Sequence, residues 1–405
     1  MNDATHPNCR AALGGSIPPD GATKPATSAT RTDRRNLQLD VLRGGAVLLV
    51  LGRHIEHPPQ LPEPFQTLVG YWHRCGWVGV DLFFVLSGFL VAGLVFEEWK
   101  RTGNFAAGRF LIRRGFKIYP AFYLLWCLVF ISQWIAGHGF DVARLLSEFL
   151  FLQNYWQPEW RHTWSLAVEE HFYLGLALLC WLRVHASTSA GRANPFLPLA
   201  WLGATLMVMC PLLRWQAATG ESFDLQRQLF PTHLRIDSLM FGVLLAWCWH
   251  FQRPRLEALA WPHRGKLLLL GLALLAPTLV FSLETDRWMH VIGFSVFALG
   301  GTLLVLVAAT APVRQPNLLA RGVARIGFYS YSIYLWHLPV ARVLDATLAG
   351  ILTPNTWLLA YLAGSLLAGM ALGRLIEWPA LKLRDRWFPK PQASATIQRS
   401  DQIYG

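Results

Sequence analysis

The chain has 405 residues, of which 53% are hydrophobic and only 15% are charged. Because soluble domains contain about 25% charged residues, this composition excludes an ordinary soluble globular protein and predicts an all-α, polytopic membrane protein. The formal net charge of +12 would also suit a nucleic-acid-binding protein, but the basic residues concentrate in alternate loops, which is a topological pattern.

The two ends of the chain differ in composition from its centre. The first 36 residues are polar, rich in Thr, Ala and Pro, and lack the apolar run of a secretory signal. We therefore predict a disordered cytoplasmic tail over residues 1–36, a transmembrane domain over 37–380 and a second cytoplasmic tail over 381–405. The six cysteines are scattered without a CxxC pair, so neither a disulfide framework nor a zinc site is predicted.

Ten apolar stretches of about 20 residues are each long enough to cross a hydrocarbon core of about 30 Å. They are residues 37–56, 72–96, 118–137, 163–184, 195–216, 232–251, 265–283, 288–310, 323–345 and 356–376. Most of the 36 Lys and Arg residues fall in the tails and in every second loop, which predicts cytoplasmic N- and C-termini in the inner membrane. The outer loop 138–162 is long enough to contain an interfacial helix.

The first apolar stretch, LDVLRGGAVLLVLGRHIEH, carries Arg43 and His54. Eleven positions bring two side chains within about 20° of each other on a helix, roughly 16 Å apart along its axis. Ionisable groups inside a membrane are costly and usually functional, so the pair suits a long ligand that is held at one end and reacts at the other. An imidazole can remove a hydroxyl proton near neutral pH, with Glu169 or Glu170 orienting the ring. The alternative is a histidine that only packs helices together.

Other ionisable residues also fall within the apolar stretches, namely Asp81, Arg235, Asp237 and His337. Such groups generally face the protein interior and pair with one another. Asp81 with an arginine, or Arg235 with Asp237 or Glu169, would hold helices together, and a functional role remains an equal alternative.

The segment EEWKRTGNFAAGRFLIRRGFKIYP is strongly basic. Arg109, Arg113 and Lys117 recur every fourth residue, which predicts one face of a short helix, with Arg114 beside them. This pattern fits either a positive-inside loop that touches anionic lipid or a clamp for a phosphorylated ligand, since guanidinium groups match phosphate oxygens.

Several catalytic signatures are absent from the sequence. The VLSGF segment around Ser87 lacks the first glycine of a GxSxG elbow, and there is neither a P-loop nor a GxGxxG motif. No His, Asp and Glu residues have the spacing of a metal site, so the predicted chemistry is metal-free.

Taken in order, these segments resemble the acyltransferase-3 family of integral membrane acyltransferases, from about Asn36 to Pro379. The family's arginine and histidine separated by ten residues match Arg43 and His54, and its GVDLFFVLSGF run matches Gly79 to Phe89. The remaining matches are Arg109, Phe110, Arg113, Arg114, Tyr119 and Pro120; Trp164, Ser165, Leu166 and Glu169; Arg235 with Asp237; Gly327 to His337, which includes Tyr334; and Glu377 with Pro379.

The resemblance implies transfer of an acyl group, commonly acetyl, from cytoplasmic acyl-CoA to a hydroxyl of a lipid-linked or exported glycan. It gives His54 the central catalytic role, with Glu169 orienting the histidine or a substrate hydroxyl. Donor binding is expected from Arg43, Arg109, Arg113, Arg114, Lys117 and Tyr119. Substrate or structural support is expected from Asp81, Ser87, Trp164, Ser165, Arg235, Asp237, Tyr334 and His337. One branch of the family has an extracytoplasmic domain that is not seen here, so outer loops or partners are expected to position the acceptor.

Our hypothesis is that His54 acts as a general base, with a covalent acyl-histidine intermediate as a less favoured variant. Two other classes of protein fit the same residues: a transporter or flippase for a lipid-linked sugar, and a structural membrane subunit. The acceptor stays open between O-antigen (lipopolysaccharide), capsule, exopolysaccharide, an oligosaccharide signal and a macrolide-like metabolite. The length of the acyl group and the oligomeric state are not predicted.

Overall fold

A computed structural model describes residues 36–137, 139, 141–156, 158–186, 194–219, 223–311 and 316–389. These residues form α-helices and short helical turns, with no β-strand among them, so the all-α prediction is confirmed. The predicted N-terminal tail, apart from Asn36, and residues 390–405 of the predicted C-terminal tail lie outside the described residues.

Sixteen α-helices follow one another along the described chain. They are α1 (Leu37–Arg53), α2 (Phe65–Cys75), α3 (Trp77–Thr102), α4 (Ala107–Ile135), α5 (Val142–Phe149), α6 (Trp164–Ala186), α7 (Leu197–Ala217), α8 (Leu225–Gln228), α9 (Thr232–Phe251), α10 (Arg253–Leu275), α11 (Pro277–Val280), α12 (Phe294–Ala309), α13 (Leu318–Phe328), α14 (Ser330–Leu348), α15 (Pro354–Leu372) and α16 (Trp378–Trp387).

Each of the ten predicted spans overlaps a helix. Among the described residues, seven helical segments are long and apolar enough to cross a membrane, and they contain α3, α4, α6, α7, α10, α12 and α15. The other three spans correspond to α1, which is 17 residues long, and to α9 and α14, which carry buried ionisable side chains. The protein is therefore a multi-pass membrane protein, while the count of about ten and the orientation of the termini stay predictions.

Helix boundaries differ from the predictions in several places. The predicted span 72–96 is divided between α2 and α3, and the predicted span 323–345 between α13 and α14. The basic segment does not form a separate short helix, because its first residues end α3 and Arg109, Arg113 and Lys117 lie at the beginning of the 29-residue α4, which continues through Pro120. A proline removes one backbone hydrogen bond and can be tolerated within a long apolar helix. At the other end of the chain, α16 extends to Trp387, beyond the predicted start of the C-terminal tail at residue 381.

Glycines allow two pairs of helices to pack with their backbones in close contact. A Cβ atom on Gly88 would lie 2.0 Å from the Leu239 carbonyl oxygen, and one on Gly242 would lie 2.1 Å from the Val85 carbonyl oxygen, so α3 and α9 cross at these glycines. A Cβ on Gly327 would similarly lie 1.8 Å from the Asp40 carbonyl oxygen, where α13 meets α1. Small residues commonly permit this approach in membrane proteins.

Among the described residues, two buried ion pairs connect α9 to its neighbours α3 and α7. Arg235 on α9 donates to Asp81 on α3 at 2.7 Å, and Asp81 also accepts a hydrogen bond from Ser238. Asp237 binds Arg214 on α7 through two contacts of 3.1 and 2.9 Å. Of the pairings left open by the sequence, the structure contains Asp81 with Arg235, whereas Asp237 pairs with an arginine that the sequence analysis did not consider.

Candidate active site

A cavity of about 410 Å³ lies at the end of α1, where His54 follows the last helical residue. α1 begins at Asn36, whose side chain accepts a hydrogen bond from the Gln38 amide as an N-cap. The cavity wall includes His54, His162, Trp164, Phe230 and Tyr334. The helix therefore positions its histidine at a cavity and not against lipid.

The His54 ring is oriented by its own helix. Nδ1 of His54 lies 3.0 Å from the Val50 carbonyl oxygen, one turn earlier. Because a carbonyl can only accept, Nδ1 carries the hydrogen, and in the neutral ring Nε2 keeps its lone pair. No carboxylate hydrogen-bonds to His54 among the described residues, so the backbone takes the role that we had predicted for Glu169 or Glu170.

Two further histidines pack beside His54. The ring centroids of His54 and His337 are 4.8 Å apart, and those of His337 and His162 are 5.1 Å apart. Nδ1 of His337 lies 2.6 Å from the Tyr334 carbonyl oxygen, and Nε2 of His162 lies 3.2 Å from that of Leu335. Their remaining nitrogens are buried and have no hydrogen-bond partner within the described ranges. Sequence reasoning missed His162, although it stands next to the Thr-Trp-Ser-Leu motif.

A polar stripe runs from this cluster along α6. It consists of His162, Ser165, Glu169 and Tyr173, which recur at intervals of three or four residues and so share one face. His162 and Tyr173, the two ends of the stripe, are eleven positions apart, which corresponds to about 16 Å of helix.

Hydrogen bonds tie this stripe to α3 and α14. Ser165 lies 2.5 Å from the Tyr334 hydroxyl, which donates to the His162 carbonyl at 2.7 Å. Glu169 accepts from Tyr173 at 2.7 Å and from Ser87 at 2.8 Å. The catalytic partner predicted for His54 therefore lies further along α6, in a separate part of the polar network.

The basic residues of α1 and α4 meet the far end of the stripe. The Arg114 guanidinium carbon lies 4.4 Å from the Tyr173 ring centroid, and both Arg43 and Arg114 interact electrostatically with Glu169. Lys117 pairs with Glu377, and Tyr119 donates to Glu170 at 3.0 Å. None of these residues lines the cavity at His54.

Three of the predicted donor-binding arginines are already ion-paired. Arg109 contacts Glu98 at 2.8 Å, and Arg113 contacts Asp385 of α16 at 2.9 Å. Arg43 lies 3.4 Å from Asp40. A phosphate would have to compete with these carboxylates for Arg109, Arg113 and Arg43. Arg114 lies most directly on the polar stripe, because its guanidinium group contacts the Tyr173 ring.

The remaining predicted residues support the cavity and the central helices. Trp164 stacks on Phe230 with a centroid distance of 5.0 Å, and both rings line the cavity. Asp81, Arg235 and Asp237 lie in the buried ion pairs described for the fold. Within the described ranges, no group of three or more His, Cys, Asp or Glu side chains is arranged to hold a metal ion.

The loop before α6 is organised by Glu148, which is 0% exposed. This carboxylate accepts hydrogen bonds from the Glu159 amide at 3.0 Å and from the Thr163 hydroxyl at 3.3 Å. It therefore fixes the chain on either side of Trp160, next to His162. Burial raises the pKa of Glu148 to about 8.

We expect stability to fall as the pH rises through this range. The folded state holds the Glu148 proton more tightly than the unfolded state, so stability is lost between about pH 4.5 and pH 8. Glu148→Gln cannot ionise, and its stability relative to the wild type should grow with pH, up to about 5 kcal/mol. Thermal unfolding in detergent at several pH values measures this difference. The exposed Glu97→Gln is the control, and parallel pH curves for the wild type and Glu148→Gln would contradict the assignment.

Comparison with known proteins identifies the family. A family model described as an acyltransferase domain matches residues 36–374. Peptidoglycan O-acetyltransferase OatA of Listeria monocytogenes is 26% identical over 388 residues, covering 87% of this chain and 57% of its own length. O-acetyltransferase OatA of Staphylococcus aureus is 26% identical over 368 residues, covering 85% and 57%. The putative peptidoglycan O-acetyltransferase YrhL of Bacillus subtilis is 25% identical over 345 residues, covering 79% and 50%.

The chain thus spans about half the length of the curated relatives that it matches. No solved structure matches it. Because the family model covers most of the chain, including every residue in the cavity, the stripe and the basic end of α4, the chain belongs to the acyltransferase-3 family.

Proposed function

We propose that this protein transfers an acyl group, with acetyl as the first candidate, from acyl-CoA to a hydroxyl of a cell-envelope or exported carbohydrate. The observation that carries the proposal is the orientation of His54. Its Nδ1 is bonded to the Val50 carbonyl, so the basic Nε2 is the nitrogen left for a substrate in the cavity.

His54 acts as a general base in this proposal. Nε2 removes the proton of the acceptor hydroxyl while the hydroxyl oxygen attacks the thioester carbonyl carbon. The carbon–sulfur bond then breaks, and the departing thiolate of coenzyme A takes the proton from Nε2. In the acyl-histidine variant, Nε2 itself attacks the thioester and passes the acyl group to the hydroxyl in a second step.

The polar stripe offers a route for the donor. Coenzyme A has phosphates at one end and its thioester at the end of a long arm. We propose that Arg114 and Arg43 bind phosphate at the inner end while the arm follows the α6 face towards His54. The stripe runs from Arg114, beside Tyr173, to the histidine cluster, and this continuity supports the proposed route, since ionisable groups inside a membrane are usually functional.

The names of the relatives support an envelope glycan as the acceptor in this proposal. Two of them are named for peptidoglycan, which makes an envelope glycan, lipid-linked or polymerised, the first acceptor to examine. With cytoplasmic termini, α1 would deliver His54 to the outer side of the inner membrane, where such glycans are exposed.

The reconstituted protein tests the proposal directly. Purified protein in liposomes should transfer label from acetyl-CoA to envelope glycan, and mass spectrometry should locate an O-acetyl ester. A flippase would instead move a lipid-linked sugar across the bilayer without acetyl-CoA. Translocation without ester formation would contradict the proposed activity.

Removing the Arg114 guanidinium should weaken donor binding. We expect Arg114→Ala to raise the KM for acetyl-CoA by about tenfold or more, because hydrogen bonds to charged groups contribute roughly 1.5–3 kcal/mol. Initial rates against acetyl-CoA concentration measure the effect, with the exposed Arg386→Ala as the control. A lower kcat at unchanged KM would show that Arg114 supports the stripe and does not bind the donor.

A further inference from the structure

We propose that the acceptor carries an anionic group, a carboxylate or a phosphate, on or beside the acylated sugar, and that Arg161 and Arg342 bind it at the cavity mouth. This inference rests on the proposed function, because it concerns the substrate of the same cavity. We call these two arginines the rim pair.

The charge balance of the cavity supports an anionic ligand. Three arginines line it, namely Arg53, Arg161 and Arg342. Arg53 is neutralised by Glu284 at 2.5 Å and also lies over the Trp77 ring. By contrast, neither member of the rim pair has a carboxylate oxygen within 4.0 Å among the described residues, and both side chains belong to exposed residues.

Neither of the two carboxylates that line the cavity forms an ion pair with the rim pair among the described residues. Glu159 is occupied by Arg144 and Gln133, both at 2.9 Å. Glu56 interacts electrostatically with Arg342, but it also faces the like charge of Asp345. Two guanidinium groups therefore remain available for an incoming anion, and guanidinium matches carboxylate and phosphate geometry.

Aromatic rings connect the rim pair with the interior. The Arg342 guanidinium carbon lies 5.8 Å from the centroid of Trp160, the residue that precedes Arg161. Deeper in the cavity, Trp164 and Phe230 stack on each other and form part of an apolar wall. Ligand sites commonly combine such walls with a few convergent polar groups.

An unpaired nitrogen at the cavity wall points independently to a polar ligand. His162 is 2% exposed and lines the cavity. Its Nε2 donates to the Leu335 carbonyl, which leaves Nδ1 as an acceptor, and this atom has no partner in the described chain. A buried acceptor without a partner is costly, and a sugar hydroxyl would satisfy it. The acceptor would thus contact His162 through a hydroxyl and the rim pair through its anionic group.

The product of the reaction tests this inference. Envelope glycans from cells with and without the protein are compared by mass spectrometry, and the esters that depend on the protein are assigned. We expect each of these esters on a sugar that itself carries a carboxylate or a phosphate, or on a sugar bonded directly to a group that carries one. The mass distinguishes a carboxylate from a phosphate. Esters found on neutral glycan would overturn the inference while leaving the proposed function intact, whereas the absence of any ester would overturn both.

Variants of the rim pair provide the second measurement. Arg161→Gln and Arg342→Gln should each lower glycan acylation by about tenfold or more. The thermal unfolding midpoints of both variants in detergent should match the wild type, because substitutions of exposed side chains change stability little, and this shows that the variants fold. Arg287→Gln, on the loop that also contains Glu284, is the matched control. Unchanged acylation in both rim variants would overturn the inference.

Discussion

Replacing His54 by alanine should reduce acyl transfer by about 10²–10⁴-fold, which is the usual contribution of a general base. The side chain is half-buried at the cavity wall and makes one hydrogen bond, to Val50, so its removal leaves the helix backbone intact. The measurement is label transfer from acetyl-CoA to glycan by equal amounts of folded, reconstituted protein.

Controls separate chemistry from packing in this experiment. His263→Ala removes an exposed imidazole on α10 and should leave the rate unchanged. If His54→Ala retains near-normal turnover while inserting normally into the membrane, His54 has no part in the reaction. Label retained on the wild-type protein after the glycan is withheld, and absent from His54→Ala, would favour the acyl-histidine route over direct transfer.

The largest effect on stability is expected at the buried pair between Arg235 and Asp81. Arg235→Met leaves the Asp81 carboxylate without its partner inside the helix bundle, which typically costs about 3–5 kcal/mol. The arginine also packs against Phe294, with 3.6 Å between the guanidinium carbon and the ring centroid. Thermal unfolding in detergent should show a midpoint lowered by roughly 5–10 °C, or a failure to accumulate folded protein.

A double variant distinguishes the lost pair from the lost packing. Replacing both partners, as in Asp81→Leu with Arg235→Met, removes the uncompensated charge and should recover much of the stability. Arg255→Met, an exposed arginine on α10, should change the midpoint little. Equal destabilisation in the single and double variants would show that packing around Arg235 dominates.

Much of the architecture could be predicted from local sequence. Apolar stretches located the helices, because a segment that crosses lipid must satisfy its own backbone hydrogen bonds and present apolar side chains. The same reasoning identified Arg43, His54, Asp81 and Arg235 as ionisable groups that had to face the interior. The partner of Asp81 was left open, and the crossing of α3 and α9 at their glycines selects Arg235.

Other features were beyond sequence reasoning for identifiable reasons. Arg214 lies near the end of an apolar stretch, where a cation normally belongs to a loop, yet it is 1% exposed and binds Asp237. His162 could not be recognised as part of the site from the sequence, because it packs against His337, which is distant along the chain and lies on α14. The sequence predicts a carboxylate that orients His54, whereas in the structure the Val50 carbonyl, one turn earlier, orients the ring.

The sequence by itself determined which segments form membrane helices, which of them carry ionisable groups, and the family to which the chain belongs. These properties are local, because each depends on residues that lie close together along the chain. The tertiary structure decided which ionisable groups meet, where the cavity lies and which cations at its mouth have no ion pair within the described part of the chain. Those relations depend on which helices become neighbours, and that follows from packing between residues far apart in the chain.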